Sequence, residues 1–394
     1  MTTQVPLSFQ DRPYACERFL KIAEYARLNN AFYKQWLAEG GRVPILDRKT
    51  FLENNDAILN GQAHNGKTSG STGVPVRYIH SPRRRALSQA DTKAFIKELG
   101  GKMRCLRMVY KRNQDDRDKA DPNLMDVKSP IADQIDYILK RRKEGKITAI
   151  TTYPSNADML AREILERGID VSFVQRFGLF SENVEPFQLE IVQQAFPHAK
   201  IWTSYSSMEF GMIAAQCQHE PDFHHIMAHR LGVEVLREDG DEPAQEGERG
   251  RVVITDYANR RSPFIRYEIG DYAVKGTCPC GKTALPALRG IYGKVRGALV
   301  HRDGKRHLFA DISYDLRDLP GMRQYQVIQD TIEDFTVNIN SAEPLDEAIR
   351  KLFIDHFGYL PGDLKIEYMD EIPKGDNGKF YHSICRVSGN PLEK

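Results

Sequence analysis

The chain has 394 residues, too many for one small core and enough for two domains or more. Its 56 Lys+Arg residues stand against 54 Asp+Glu, a net charge of +2, so no global positive field is available to recruit nucleic acid. No run approaches about 18 consecutive apolar residues, which argues against a membrane span, and six cysteines are too few for a disulfide scaffold.

In chain order, the N-terminal stretch MTTQVPLSFQDRPYACERFL lacks the basic-then-apolar order of a signal peptide, and the reading is a soluble cytoplasmic protein. Residues 16–38 carry apolar positions at helical spacing, as do 86–98 and 156–167. The basic runs SPRRRA (81–86) and KRRKEGK (140–146) read as solvated helix faces. Residues 102–128 are strongly polar and read as a mobile surface loop or lid. Between the helices lie short apolar runs bounded by turn residues: KITAITTYP (146–154), AKIWTSY (199–205) and RVVITDY (251–257). Strands alternating with helices predict an α/β fold of helix-covered sheets.

From 295 onward the texture changes. ALVHRDGKRHLF sets Asp303-Gly304 between two short runs, a hairpin signal. QYQVIQ (324–329) and DFTVNINS (334–341) alternate like half-buried strands, 345–358 is an amphipathic helix, and LKIEYMDEI (364–372) is a further strand. This predicts a small α+β domain, with the joint near 290–298 and domains of 1–294 and 295–394.

Residues 67–75 read KTSGSTGVP. Thr68, Ser69, Ser71 and Thr72 offer hydroxyls, while Gly70 and Gly73 let the backbone bend so that N–H groups converge, a concavity suited to phosphate oxygens. The run is not the G-x-x-x-x-G-K-[ST] loop of mononucleotide-binding folds, and by composition alone a linker is an equal reading. Three further segments bear on the choice. YSSMEFG (205–211) follows a predicted strand and brings together Tyr205, Ser206, Ser207 and Glu209; Asp271 lies in RYEIGDYA (266–273); Lys379 follows an Asn-Gly turn in PKGDNGKFYHSICRV (373–387).

In this order and spacing, from about 65 to 387, these segments resemble the acyl-adenylate-forming superfamily. TSGSTGVP is similar to its phosphate loop, and YSSMEFG, RYEIGD and NGK to its other landmark motifs. The phenylacetate–CoA ligase-like branch is the nearest in look, on TYPS (152–155), CPCG (278–281) and the QYQVIQ strand. The resemblance implies a large N-terminal adenylation domain, a small mobile C-terminal domain, and reaction of a carboxylate with ATP to give acyl-AMP and pyrophosphate. Such a reaction needs donors, a metal and a cation around the phosphoryl group. The resemblance makes Thr68, Ser69, Gly70, Ser71, Thr72 and Gly73 the phosphate cradle and Glu209 the Mg²⁺ ligand. It packs Tyr205, with Ser206 beside it, against adenine. It gives Asp271 the ribose hydroxyls, Lys294 a ribose or phosphate contact, and Lys379 the carboxylate and α-phosphate oxygens. Arg296 matches the hinge on which the small domain swings, so Lys379 serves adenylation only in the closed state.

The chain departs from the family pattern at four places. Val74 stands where a lysine often follows TG, with Lys67 on the other flank as a substitute; Met208 replaces a hydroxyl residue; Lys294 replaces an arginine and its bidentate fork; and Ser181-Glu182 stands where Gly-Glu is common.

Cys278 and Cys280 form a C-x-C, and CQHEPDFHH (217–225) supplies Cys217, His219, His224 and His225. Two thiolates with a further Cys and a His complete a tetrahedral zinc site. The resemblance, a Cys, a His seven residues on and a C-x-C, selects Cys217, His224, Cys278 and Cys280. Four protein ligands leave no open position, so this zinc is structural.

The leading expectation is a ligase that activates a carboxylic acid, aromatic by resemblance, and passes it to a thiol such as coenzyme A or a carrier protein. The alternatives are acyl transfer to an amine, adenylyl transfer to a cofactor hydroxyl, and a degenerate nucleotide-binding partner without catalysis. ATP, Mg²⁺ and Zn²⁺ are the implied cofactors. No nucleic-acid or membrane partner is expected, and assembly is open, a homodimer included.

Overall fold

The computed structural model describes residues 16–37, 43–68, 74–101, 104–110, 121–182, 184, 186–237, 240–294, 298–370, 372–373 and 380–387. The chain divides into two compact units, Met1–Gly293 and Lys294–Lys394. Among the described residues no helix is long and apolar enough to cross a membrane.

The first unit opens with the helix Glu17–Asn29, whose Phe19, Ile22, Ala23 and Ala26 repeat at helical spacing and are all buried. Asn30 ends that helix in an extended conformation and caps the next, Ala31–Trp36, by accepting from the Tyr33 amide. A two-stranded ladder follows, β1 (Gly66–Lys67) with β2 (Arg77–Tyr78), and then the helix Pro82–Glu98. Ser81 caps this helix by accepting from the Arg84 amide, and Pro82 occupies its first turn.

The rest of the unit is built on one eleven-stranded sheet. Its strands are β3 (Cys105–Val109), β4 (Leu124–Asp126), β5 (Ala149–Thr152), β6 (Arg176–Leu179), β7 (Lys200–Ser207), β8 (Gly211–Gln216), β9 (His224–Ile226), β10 (Leu231–Leu236), β11 (Arg249–Asp256), β12 (Tyr267–Gly276) and β13 (Ala287–Lys294). In space they run β10-β11-β12-β13-β9-β8-β7-β6-β5-β3-β4. From β4 to β7 neighbours are parallel, with the helices Pro154–Glu166 and Pro186–Ala195 as crossovers between β5, β6 and β7. The inner strands β5 and β6 are buried along nearly their whole length, and hence do not alternate. From β7 onward the pairing is antiparallel. Each half has its own buried core, one around Leu160, Phe177 and Phe196 and the other around Phe51, Phe210, Phe264 and Tyr267.

β7 is therefore the strand at which the sheet changes character. Thr152 of β5, Leu179 of β6 and Thr203 of β7 lie side by side in register. The segments leaving these strands, Tyr153–Ser155, Phe180–Glu182 and Tyr205–Glu209, emerge at one edge of the sheet. Ligands of open α/β sheets sit outside such carboxyl ends.

The lid expected over 102–128 is corrected. Residues 105–109 and 124–126 form the parallel strands β3 and β4, β4 at the edge of the sheet, and residues 111–120 between them lie outside the described part. The polar texture misled because side chains of β3 alternate between faces: Arg107 is exposed while Leu106 and Met108 are fully buried.

The second unit holds the hairpin β14 (Ala298–Val300) and β15 (Arg306–Leu308), turned at Gly304 with φ +78°. A four-stranded sheet follows, in the order β18 (Asp363–Tyr368), β17 (Asp334–Ser341), β16 (Met322–Gln329), β19 (Ser383–Cys385), with β16 and β17 antiparallel and the outer pairs parallel. Helices Phe309–Asp318 and Asp346–Phe357 pack on it, burying Ile312, Leu316, Ile349 and Phe353 with Val337 and Phe335.

Candidate functional site

The hydroxyl-glycine loop is closed at its neck by residue 68. The Thr68 amide donates to the Val76 carbonyl at 2.9 Å, and the Val76 amide donates to Thr68 Oγ1 at 3.0 Å. Gly66 is obligatory in the ladder below, since a Cβ there would lie 2.1 Å from the Tyr78 ring. Ser69, Gly70, Ser71, Thr72 and Gly73 lie outside the described residues. Val74 is 69% exposed, and its carbonyl accepts from Arg48 Nη2 at 2.7 Å. Arg48 thus puts a guanidinium on the loop's exit, beside Val74, on the flank opposite Lys67.

At the end of β7 the pairing with β8 slips by one residue between Tyr205 and Ser206. Tyr205, still in the regular ladder, is buried like Thr203 two residues before it, and Ser206 is exposed. The Tyr205 hydroxyl donates to Asp271 Oδ2 at 2.6 Å across 66 residues of sequence, and both side chains are buried. Burial first, and the Asp271 charge second, push the Tyr205 hydroxyl well above its ordinary pKa, so it stays a donor. Asp271 follows Gly270, whose φ of +84° lets β12 turn this carboxylate inward.

Beyond the slip the chain makes a tight turn. The Phe210 amide donates to Ser207 Oγ at 3.1 Å, Met208 is half exposed, and Glu209 is 4% exposed. Among the described residues the Glu209 carboxylate has no hydrogen-bond donor and no ion-pair partner, yet its charge is close enough to raise the pKa of Tyr78, Tyr205 and Tyr267. The Phe210 ring packs edge-on to Phe264 within the core. Gly211 has φ +61° and lies so close to the helix Pro82–Glu98 that a Cβ would meet Ser88 Oγ at 2.4 Å.

In the run SPRRRA, Arg83 and Arg85 are exposed but Arg84 is not. Arg84 is 2% exposed, its Nε donating to the buried Asp256 Oδ2 at 3.0 Å and its Nη2 to the Glu209 carbonyl at 2.9 Å. His80 Nε2 meets the same carbonyl at 2.8 Å, and the Tyr78 hydroxyl donates to the Met208 carbonyl at 2.8 Å. In the other run Arg141 is also buried, paired with Glu144 at 2.6 Å. Charge runs are exposed by default, and only the distant Asp256, 172 residues on, reverses that for Arg84.

At the neighbouring strand ends, Ser181 adopts φ +74°, a left-handed conformation that explains why glycine suits this position. Glu182 Oε2 accepts from the Ser155 amide at 3.0 Å, placing its carboxylate over the first turn of the helix Pro154–Glu166. Lys294 ends β13, and only its backbone is described; Arg296 and Lys379 lie outside the described residues.

The cysteine cluster assembles, with one change of ligand. Cys217, His225, Cys278 and Cys280 place their ligand atoms within 4.8 Å of one another. His224, expected as the fourth ligand, is replaced by its neighbour. Successive residues of β9 face opposite sides, and His224 Nε2 is bonded to Thr203 Oγ1 at 2.7 Å. His225 pairs with Ala215 of β8 and Ala287 of β13, and its Nε2 lies 3.6 Å from Cys280 Sγ. The Lys282 amide points at Cys280 Sγ at 3.4 Å and lowers that thiol's pKa, favouring the thiolate. Three sulfurs and an imidazole so close fit a tetrahedral thiophilic cation such as Zn²⁺. The alternation of a three-residue strand was the signal separating the two histidines, and the strand is too short to phase from sequence.

No protein-family model and no curated protein matches the chain. Solved structures do. 2-Hydroxyisobutyryl-CoA ligase in the postadenylation state, in complex with R3-HIB-AMP, matches over 97% of this chain and 90% of its own, at 17% identity and a TM-score of 0.71. ATP-bound MatB from Rhodopseudomonas palustris matches over 81% of this chain and 65% of its own, at 12% identity and TM-score 0.56. The amide bond synthetase McbA from Marinactinospora thermotolerans matches over 78% of this chain and 66% of its own, at 16% identity and TM-score 0.54. The chain has the fold of the acyl-adenylate-forming ligases.

Proposed function

We propose that this protein is an AMP-forming acid ligase: it joins a carboxylic acid to ATP, releases pyrophosphate, and passes the acyl group to a thiol. The observation that carries the reading is Glu209, a buried carboxylate with no donor or ion-pair partner among the described residues, beside the Tyr205–Asp271 pair at the edge where the sheet changes from parallel to antiparallel. A buried, unpaired carboxylate is costly, and a divalent cation that also takes phosphate oxygens offsets the cost. Glu209 is the residue that would hold Mg²⁺, and when bound the ion supplies charge neutralisation at the phosphates.

In the first half-reaction a carboxylate oxygen of the acid forms a bond to the α-phosphorus of ATP, and the bond from that phosphorus to the bridging oxygen of pyrophosphate breaks. Residues 68–73 would cradle the β- and γ-phosphates, the Tyr205 ring would pack against adenine, and Asp271 would accept from ribose hydroxyls while holding Tyr205. Lys294 and Lys379 would add positive charge at the ribose-phosphate and at the carboxylate and α-phosphate. In the second half-reaction the acceptor sulfur, having lost its proton, bonds to the acyl carbon and AMP leaves.

A thiol is favoured over an amine because the coenzyme A ligase matches over nearly its whole length and with the higher TM-score, whereas the amide bond synthetase matches over two thirds of its own. Zinc in the site of Cys217, His225, Cys278 and Cys280 would be structural, tying the β12–β13 turn to β9 and the end of β8. With four protein ligands it has no place for water or substrate. Incubation with ATP, Mg²⁺, a panel of aliphatic and aromatic acids and coenzyme A tests the reading. AMP and acyl-thioester should appear together and only with an accepted acid; ADP in place of AMP would overturn it.

A further inference from the structure

We propose that His80 and Arg84 are positioning residues that hold Glu209 where its carboxylate meets a divalent cation carried on a nucleotide polyphosphate; the inference rests on the adenylation reading above. The Glu209 carbonyl oxygen accepts from His80 Nε2 at 2.8 Å and from Arg84 Nη2 at 2.9 Å, which occupies both lone pairs. The carbonyl before it, Met208, accepts from the Tyr78 hydroxyl at 2.8 Å, and the one after it, Phe210, from Arg230 Nη1 at 2.9 Å. Three successive peptide planes are thus pinned by side chains, and only the side-chain torsions of Glu209 remain free.

The anchors are themselves anchored. Arg84 is held by Asp256 at 3.0 Å and Arg230 by Asp91 at 2.5 Å, and all four side chains are buried. Burying two arginines under one turn carries a large desolvation cost, offset only by well-formed ion pairs and hydrogen bonds. A turn whose tip, Met208, is half exposed needs no such support for its own stability. The support converges instead on Glu209, whose carboxylate has no partner among the described residues. The same short segment, Val76 to Arg84, closes the neck of the phosphate loop through Val76 and Thr68. One stretch of chain therefore holds both Thr68, at the start of the hydroxyl-glycine run, and the backbone of Glu209. His80 acts as a neutral ring donating through Nε2, because a carbonyl oxygen only accepts.

Calorimetric titration of the full chain with Mg²⁺·ATP, and with ATP in the presence of EDTA, tests the assignment. His80→Phe should weaken Mg²⁺·ATP binding about tenfold, the loss of one good hydrogen bond, and leave metal-free ATP binding unchanged. His80→Gln, whose amide donates from the place of Nε2, should recover binding to within about twofold of wild type. Arg84→Lys keeps a charge for Asp256 but has no fork to reach two acceptors, so it should fall between them and serves if His80→Phe does not fold. Equal Mg²⁺·ATP binding by wild type and His80→Phe would sink the positioning role and leave the adenylation reading standing. So would equal weakening in the Phe and Gln variants, the mark of a merely structural residue. Absence of Mg²⁺·ATP binding by the wild-type chain would remove both.

Discussion

Tyr205 and Asp271 show how a residue pair gains meaning from packing. Each was legible as a motif member, but their 2.6 Å hydrogen bond spans 66 residues and makes the phenol an orienting group for the carboxylate. Tyr205→Phe leaves Asp271 buried without this donor. We expect a loss of about 1–3 kcal/mol in stability by denaturant titration and a higher KM for ATP with little change in kcat. An unchanged KM would remove Asp271's proposed contact with the nucleotide. The residues that were illegible share one property: their partners are distant in sequence. Arg84 looked like a surface charge until Asp256 came to it, and Arg48 had no motif at all. Val74 and Met208, two of the four departures from the family pattern, are both exposed, so the amine and the hydroxyl they replace would have faced solvent or ligand, not the core.

At the scale of elements, regular pieces were readable and short ones were not. The hairpin around Asp303-Gly304, the strand Asp334–Ser341 and the helix Asp346–Phe357 follow directly from turn chemistry and apolar period. β9 has three residues, too few to phase, and the neighbouring histidines could be told apart only by its register with β8 and β13. The metal prediction belongs here. Protein purified without chelator should carry one zinc per chain; His225→Ala should lose it and His224→Ala should keep it. Zinc retained by the His225 variant would contradict the ligand set.

The small unit offers a second element-scale test. Glu333 is forked by Arg302 and accepts from the Gly362 amide at 2.9 Å, tying the β14–β15 hairpin to the strands β17 and β18. The Arg302 hydrogen bond, then the Gly362 amide, hold its carboxyl at about 2, below the usual 4.5. A carboxyl depressed on folding stabilises the folded state fully above its unfolded pKa and ceases to do so as pH falls through the folded value. The stability difference between wild type and Glu333→Gln should therefore be constant near neutrality and shrink between pH 4.5 and about 2. A difference independent of pH over that window would show that the interaction does not depend on the charge.

For the whole molecule, the alternation of strands and helices up to residue 294 and the change of texture after it were visible in the order of elements. The mixed sheet was not. Whether a strand pairs parallel or antiparallel depends on where the chain returns, and β7 serves both halves. That dual role places Tyr205 to Glu209 at the edge beside the ends of β5 and β6. The measurement that tests the adenylation reading most directly is exchange of labelled pyrophosphate into ATP in the presence of Mg²⁺ and a panel of carboxylic acids. The account predicts acid-dependent exchange by the wild-type chain, lost in Lys379→Ala and in Glu209→Gln while both variants remain folded. Exchange at wild-type rate in either variant, or none by the wild-type chain with any acid, would contradict it.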